Sequence, residues 1–110
     1  MKISVIATCR VAGFHNWDKA PTQHAYLKDR HRHEFVVYAV RDVSHRDRET
    51  EINQFKQDIE TWLVENYGSP CEFGGMSCES IAEMISNQFG LSKCVVLEDG
   101  LCGAVYEEVR

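Results

Sequence analysis

At 110 residues the chain has the length of one domain, and 44% apolar residues are enough for an ordinary core. Its formal charge of −5 argues against a protein that tracks nucleic-acid phosphates, which needs a basic surface. No stretch has the apolar length of a transmembrane helix.

Residues 2–11 alternate, with Ile3, Val5, Ala7, Cys9 and Val11 set against more polar neighbours. This is the pattern of a strand, and Arg10 within it argues against a signal peptide. Residues 16–30 follow as a long loop carrying Asp18, Pro21 and Asp29, and loops of that length in small domains tend to be functional. A second strand spans 33–43, apolar on both faces (Phe35, Val37, Ala39 against Val36, Tyr38, Val40), which predicts cover on both sides. Residues 44–49 form a charged turn, and Asp47 or Thr50 is placed to cap a helix. Ile52, Phe55, Ile59, Trp62 and Leu63 then recur at helical spacing to about residue 66. Residues 68–75 read as a loop. Ser77 is placed as an N-cap, with Glu79 in the first turn and Gly90 ending the helix. A third strand is expected over 93–97, a hairpin turn at Asp99-Gly100 and a fourth strand over 102–109. The order is ββααββ, a single α+β domain over 1–110: an antiparallel sheet with two helices on one face. Its two open sheet edges invite pairing in an oligomer.

Four of the five histidines lie between Gly13 and Phe35. His31 and His33 are two apart at the head of a strand, so their rings point to one face. His15 ends another apolar run and returns to them if the strands form a hairpin. Three convergent imidazoles make a zinc site that keeps an open coordination position. His24, in the loop, is a candidate base, a fourth ligand or an exposed residue. The five cysteines, Cys9, Cys71, Cys78, Cys94 and Cys102, are odd in number and contain no CxxC pair. They read as reduced thiols of a cytoplasmic protein.

Four landmarks together resemble the T-fold family of 6-pyruvoyl tetrahydropterin synthase and 6-carboxy-tetrahydropterin synthase (QueD). Phe14-His15 and His31-Arg32-His33 match its zinc-ligand histidines. Ser77-Cys78-Glu79 resembles its threonine-x-glutamate segment at the second helix, and Val95-Val96-Leu97-Glu98 resembles the strand ending in its ring-anchoring glutamate. The resemblance implies zinc on His15, His31 and His33. It implies a pterin or purine-nucleotide ligand whose guanidine-like edge is gripped by Glu98, with Ser77 and Cys78 beside it. It also implies a trimer or hexamer, and a small divergent branch of a kind associated with phage and bacterial genomes. Two departures stand out. Leu27 occupies the position of the catalytic cysteine, and the Asp-His pair after the first helix is absent, the last histidine being His45. A base would then come from His24, Asp29 or a metal-bound hydroxide, and Arg30 is the better placed arginine for a triphosphate. The expected function is a zinc lyase or synthase on dihydroneopterin triphosphate; the alternative is a non-catalytic zinc protein that binds or sequesters a pterin or nucleotide.

Overall fold

A computed structural model describes residues 2–109. Alternation in the first apolar run extends further than its most apolar part, and β1 spans Ile3–His15. β2 spans His31–Val43 and pairs with β1 antiparallel along its whole length, from Ile3 opposite Val43 to His15 opposite His31. Between them the expected loop is partly ordered as a 3-10 segment, Thr22–Lys28, with a non-helical kink at His24 and no buried residue.

Helix α1 spans Ile52–Tyr67 and buries Phe55, Ile59 and Leu63, four residues apart in each case. Its N-cap is Glu51, whose carboxylate accepts from the Gln54 N–H at 2.5 Å; the expected caps Asp47 and Thr50 lie too early in the chain. α2 spans Cys78–Phe89. Ser77 caps it by accepting from the Ser80 N–H, and Gly90 ends it in the left-handed conformation, φ 63°. Its buried stripe is Cys78, Ile81, Ala82, Ile85 and Ser86. A short strand, β3, spans Cys71–Gly74 between the two helices. β4 spans Lys93–Glu98 and β5 spans Cys102–Glu107, joined through Asp99 and Gly100, both at positive φ.

The α+β class is as expected, but the element order is not a simple ββααββ. The additional strand β3 pairs parallel with β1 at the sheet edge. The result is a five-stranded mixed sheet in the order β3-β1-β2-β4-β5. Only two residues of β3, Cys71 and Phe73, are buried, and Gly68 and Pro70 before it, with Gly75 after it, read as loop. Such a short segment carries too little periodicity to announce a strand.

Both helices lie on one face of the sheet. Ala7, Cys9, Val11, Phe35, Val37, Ala39, Cys94 and Val96 meet Phe55, Ile59, Leu63, Ile81, Ala82 and Ile85 there in one core. The opposite face is covered only in part: Val36 is buried, while Ile6 and Val105 are each 59% exposed. Among the described residues no helix is long and apolar enough to cross a membrane.

Strand alternation makes the helix-covered face end in histidines. Going along β1 it carries Val11, Gly13 and His15; along β2, in the opposite direction, Phe35, His33 and His31. Gly13 is required by close approach, because a Cβ there would lie 2.9 Å from Phe73 Cε2 and 3.0 Å from the Phe35 ring. Phe35 and Phe73 pack edge-on at 5.1 Å between centroids and form the floor beneath the histidines. The Gly13→Ala variant should lose about 1–3 kcal/mol of stability, the cost of overpacking a close-packed site, read as a lower urea midpoint with an unchanged m-value.

Candidate metal centre

His15, His31 and His33 are brought together as their spacing predicts. Their ring centroids are 4.6 Å (His15–His31), 5.0 Å (His31–His33) and 5.5 Å (His15–His33) apart. Phe35 touches the edges of His15 and His33, at 5.2 and 5.8 Å. His15 is the most enclosed, 8% exposed, because it ends the core face beside β3, where the Met76 carbonyl meets its ring.

Each ring is held by its Nδ1 atom. His15 Nδ1 is 2.9 Å from the Met76 carbonyl, His31 Nδ1 is 2.9 Å from the Asp29 carbonyl, and His33 Nδ1 is 2.7 Å from Asp99 Oδ2. Carbonyl and carboxylate oxygens only accept, so Nδ1 is the donor in all three. In the neutral ring Nε2 is then a bare lone pair. This is the outer-shell arrangement that orients metal-binding histidines. Asp99 is itself pinned: it accepts from the Glu34 N–H through Oδ1 at 2.9 Å, and its own N–H donates to the Glu34 carbonyl at 2.7 Å. The Glu34 N–H first, and His33 second, hold the Asp99 carboxyl below the usual carboxylate range, so it stays an acceptor.

A fourth group reaches the same point. Glu98 Oε2 lies 2.8 Å from His15 Nε2 and Glu98 Oε1 lies 3.5 Å from His33 Nε2. One donor atom from each of His15, His31, His33 and Glu98 falls within 4.8 Å of all the others. The donor set fits a divalent cation of the zinc type, which takes imidazole nitrogen and carboxylate oxygen.

Beside the cluster is a cavity of about 560 Å³, within the range of small-molecule sites. Trp17, Leu27, Met76, Ser77, Cys78 and Glu79 contribute to its walls together with His15, His31 and Glu98, and Cys102 closes it from β5. Cys102 stands directly opposite Glu98 in the β4–β5 ladder, so both side chains project to the same face. Leu27 is held at the cavity by the bond from the Trp17 N–H to its carbonyl, 2.7 Å.

The other expected site residues divide. Glu98, Ser77 and Cys78 are at the cavity as anticipated, although the Ser77 hydroxyl is occupied in capping α2. His24 and Asp29 are not among the residues lining it. His24 is exposed and its ring faces Tyr26, and Asp29 contributes its carbonyl to His31 and not its carboxylate. Arg30 is also elsewhere: it pairs through two nitrogens with Glu72 and lies over the Phe14 ring, 3.5 Å from its centroid. Alternation turns Phe14 away from the face of His15, and Arg30, which precedes β2, packs on that same outer side. His45 is a surface residue beside Glu49. The outer-shell roles of Met76 and Asp99 were not legible as such. Asp99 announces a turn, and nothing local shows that the turn folds back onto Glu34 and His33.

Cys78 donates weakly to Glu98 Oε2 at 3.7 Å. Burial first, and the Glu98 carboxylate second, push its thiol up to about 12. Burial of this kind disfavours the thiolate, which is the nucleophilic form.

No protein-family model matches the chain, and no curated protein matches it.

The thiols should separate by reactivity. Burial raises Cys9 to about 11 and Cys94 to about 12, and raises Cys71 as well, whereas Cys102 is exposed. Iodoacetamide at pH 8 should alkylate Cys102 first, with the four others protected until the protein unfolds, as read by peptide mass spectrometry.

Proposed function

We propose that this is a zinc protein of the T-fold, tetrahydropterin synthase type, which binds a pterin or guanine-type ring in the cavity beside the histidine triad. The observation that carries the reading is the common tautomer of the three histidines. Three separate acceptors each take an Nδ1–H, and the Nε2 lone pairs are left to face one another beside a ligand-sized cavity that His15 and His31 line. Lone pairs packed this closely repel, and a metal ion set among them would remove the repulsion.

Zinc bound there would supply a Lewis acid for an oxygen of the ligand. The chain's own residues do the rest. Trp17, Leu27 and Met76 offer flat or flexible apolar surface to a ring. Glu79, exposed in the first turn of α2 and on the cavity wall, is placed to accept hydrogen bonds from a guanidine-like ring edge. His15 and Phe35 exclude water from the inner end.

Binding without turnover is the better supported form of this reading. Leu27 stands at the cavity where the family resemblance calls for a cysteine, the Cys78 thiol is buried, and His24 and Asp29 do not line the cavity. A lyase acting on dihydroneopterin triphosphate is the second reading, and the exposed Cys102 thiol on the cavity wall favours it. Five free cysteines support a reducing, cytoplasmic setting. The partly uncovered outer sheet face, with Ile6 and Val105 exposed, supports a homo-oligomer, a trimer or hexamer by the same resemblance.

Purified protein should carry about one equivalent of zinc per chain, and His31→Ala should lose most of it, by elemental analysis. A wild-type protein that neither retains nor takes up zinc overturns the reading. Calorimetric titration with dihydroneopterin should show binding that Glu79→Gln weakens by about tenfold, the worth of one hydrogen bond to a charged group. Release of triphosphate from dihydroneopterin triphosphate, lost in Cys102→Ser, would replace the binder with the lyase.

A further inference from the structure

We propose that Arg30 is a positioning residue for the histidine triad: its guanidinium clamps the ends of three neighbouring strands on the sheet face opposite the rings, and so sets the peptide that holds His31. The inference rests on the metal reading above and deepens it, since it names what keeps the three rings in place.

Arg30 precedes β2, yet its side chain reaches across β1 to β3. Two of its nitrogens bond the Glu72 carboxylate, Nε to Oε2 at 3.0 Å and Nη2 to Oε1. On the way the guanidinium lies over the Phe14 ring, 3.5 Å from its centroid. The strand registers explain the reach. Phe14 stands opposite Arg32 in the β1–β2 ladder and opposite Glu72 in the β1–β3 ladder. β1 is therefore the middle strand, and Phe14 is the point the arginine crosses. A forked guanidinium suits both contacts, because it pairs with a carboxylate through two parallel bonds and stacks flat on an aromatic face. An exposed ion pair alone contributes little; here the stacked ring adds to it.

Two of the Nδ1 acceptors depend on what this clamp holds. The first is the Asp29 carbonyl, 2.9 Å from His31 Nδ1. It belongs to the same planar peptide as the Arg30 N–H. Asp29 is extended, φ −77° and ψ 145°, and turning that peptide would carry the carbonyl away from the ring. A side chain anchored on the far side opposes the turn. The second acceptor is the Met76 carbonyl, which is held through β3. That strand has four residues, and its register against β1 shifts between Phe14 and His15, so its ladder is short and broken. The clamp fixes Glu72 within it. Phe73, the next residue, accepts the Met76 N–H through its carbonyl at 3.2 Å, and the Met76 carbonyl in turn meets His15.

Long-range proton–nitrogen NMR on the metal-free protein tests this at about pH 8, above the ordinary imidazole range. It reads which nitrogen of each ring carries the proton, a property that a clamp serving stability alone would not move. Wild type should carry the His31 proton on Nδ1, and Arg30→Ala should shift His31 toward a mixture with the Nε2 form. Chelator competition should show zinc affinity lowered by about threefold, the order of one exposed but stacked ion pair. Arg30→Lys, which keeps the charge but not the fork, should restore little of either. Should Arg30→Ala fail to fold, Glu72→Gln, which keeps the shape and drops the charge, carries the same comparison. An unchanged His31 tautomer in the folded variant overturns the proposal, whatever happens to the urea midpoint, and so does a wild-type His31 protonated on Nε2. Wild-type protein that binds no zinc overturns the metal reading instead, while the tautomer comparison still decides the role of Arg30.

Discussion

The structure depends on burying His15 at the end of a hydrophobic face. A half-buried strand of thirteen residues can end in a polar side chain only if that side chain finds partners. His15 has one, the Met76 carbonyl, on its outer nitrogen. Its inner nitrogen faces His31, His33 and the Glu98 carboxylate, which lies 2.8 Å away and pairs with it across a proton or a cation. The core therefore runs continuously into a polar cluster, with Phe35 and Phe73 as the boundary, and the cluster has the chemistry of a metal centre.

The elements around that cluster serve to keep it in place. β3 contributes little burial of its own. It sets the path of the chain over His15, with a register shift against β1 between Phe14 and His15. Gly74 and Gly75 then carry the chain so that the Met76 carbonyl meets His15 and Ser77 starts α2 at the cavity. On the other side, the positive φ of Asp99 and Gly100 folds the β4–β5 turn back against β2. A loop positioned by rigid strands at both ends is a common way to hold functional groups, and here two such loops meet at the triad.

Electrostatics then separates the groups at the cavity by role. The Asp99 carboxyl is held ionised by a backbone N–H, and so fixes the His33 tautomer. Burial beside Glu98 disfavours the Cys78 thiolate. Glu79 and Cys102 remain exposed at the wall.

Much of this was readable along the chain. Alternation placed β1, a run apolar on both faces placed β2, the Asp99-Gly100 turn signal placed the β4–β5 hairpin, helical spacing placed Phe55, Ile59 and Leu63 inward, and Ser77 and Gly90 marked the ends of α2. The HxH spacing put His31 and His33 on one face, because period-two geometry is local and admits no other arrangement within a strand. What required the folded chain were the contacts between distant segments. No pattern in the sequence tells that residue 76 presents its carbonyl to His15, that Asp99 serves His33, or that both oxygens of Glu98 turn toward the histidines. Nor does it tell that Arg30, His24 and Asp29 leave the cavity to Leu27 and Trp17. Periodicity specifies which face a residue takes on its own element. Which element comes to lie opposite, and at what register, is decided by the packing of the whole core, and the chemistry of this site resides in those meetings.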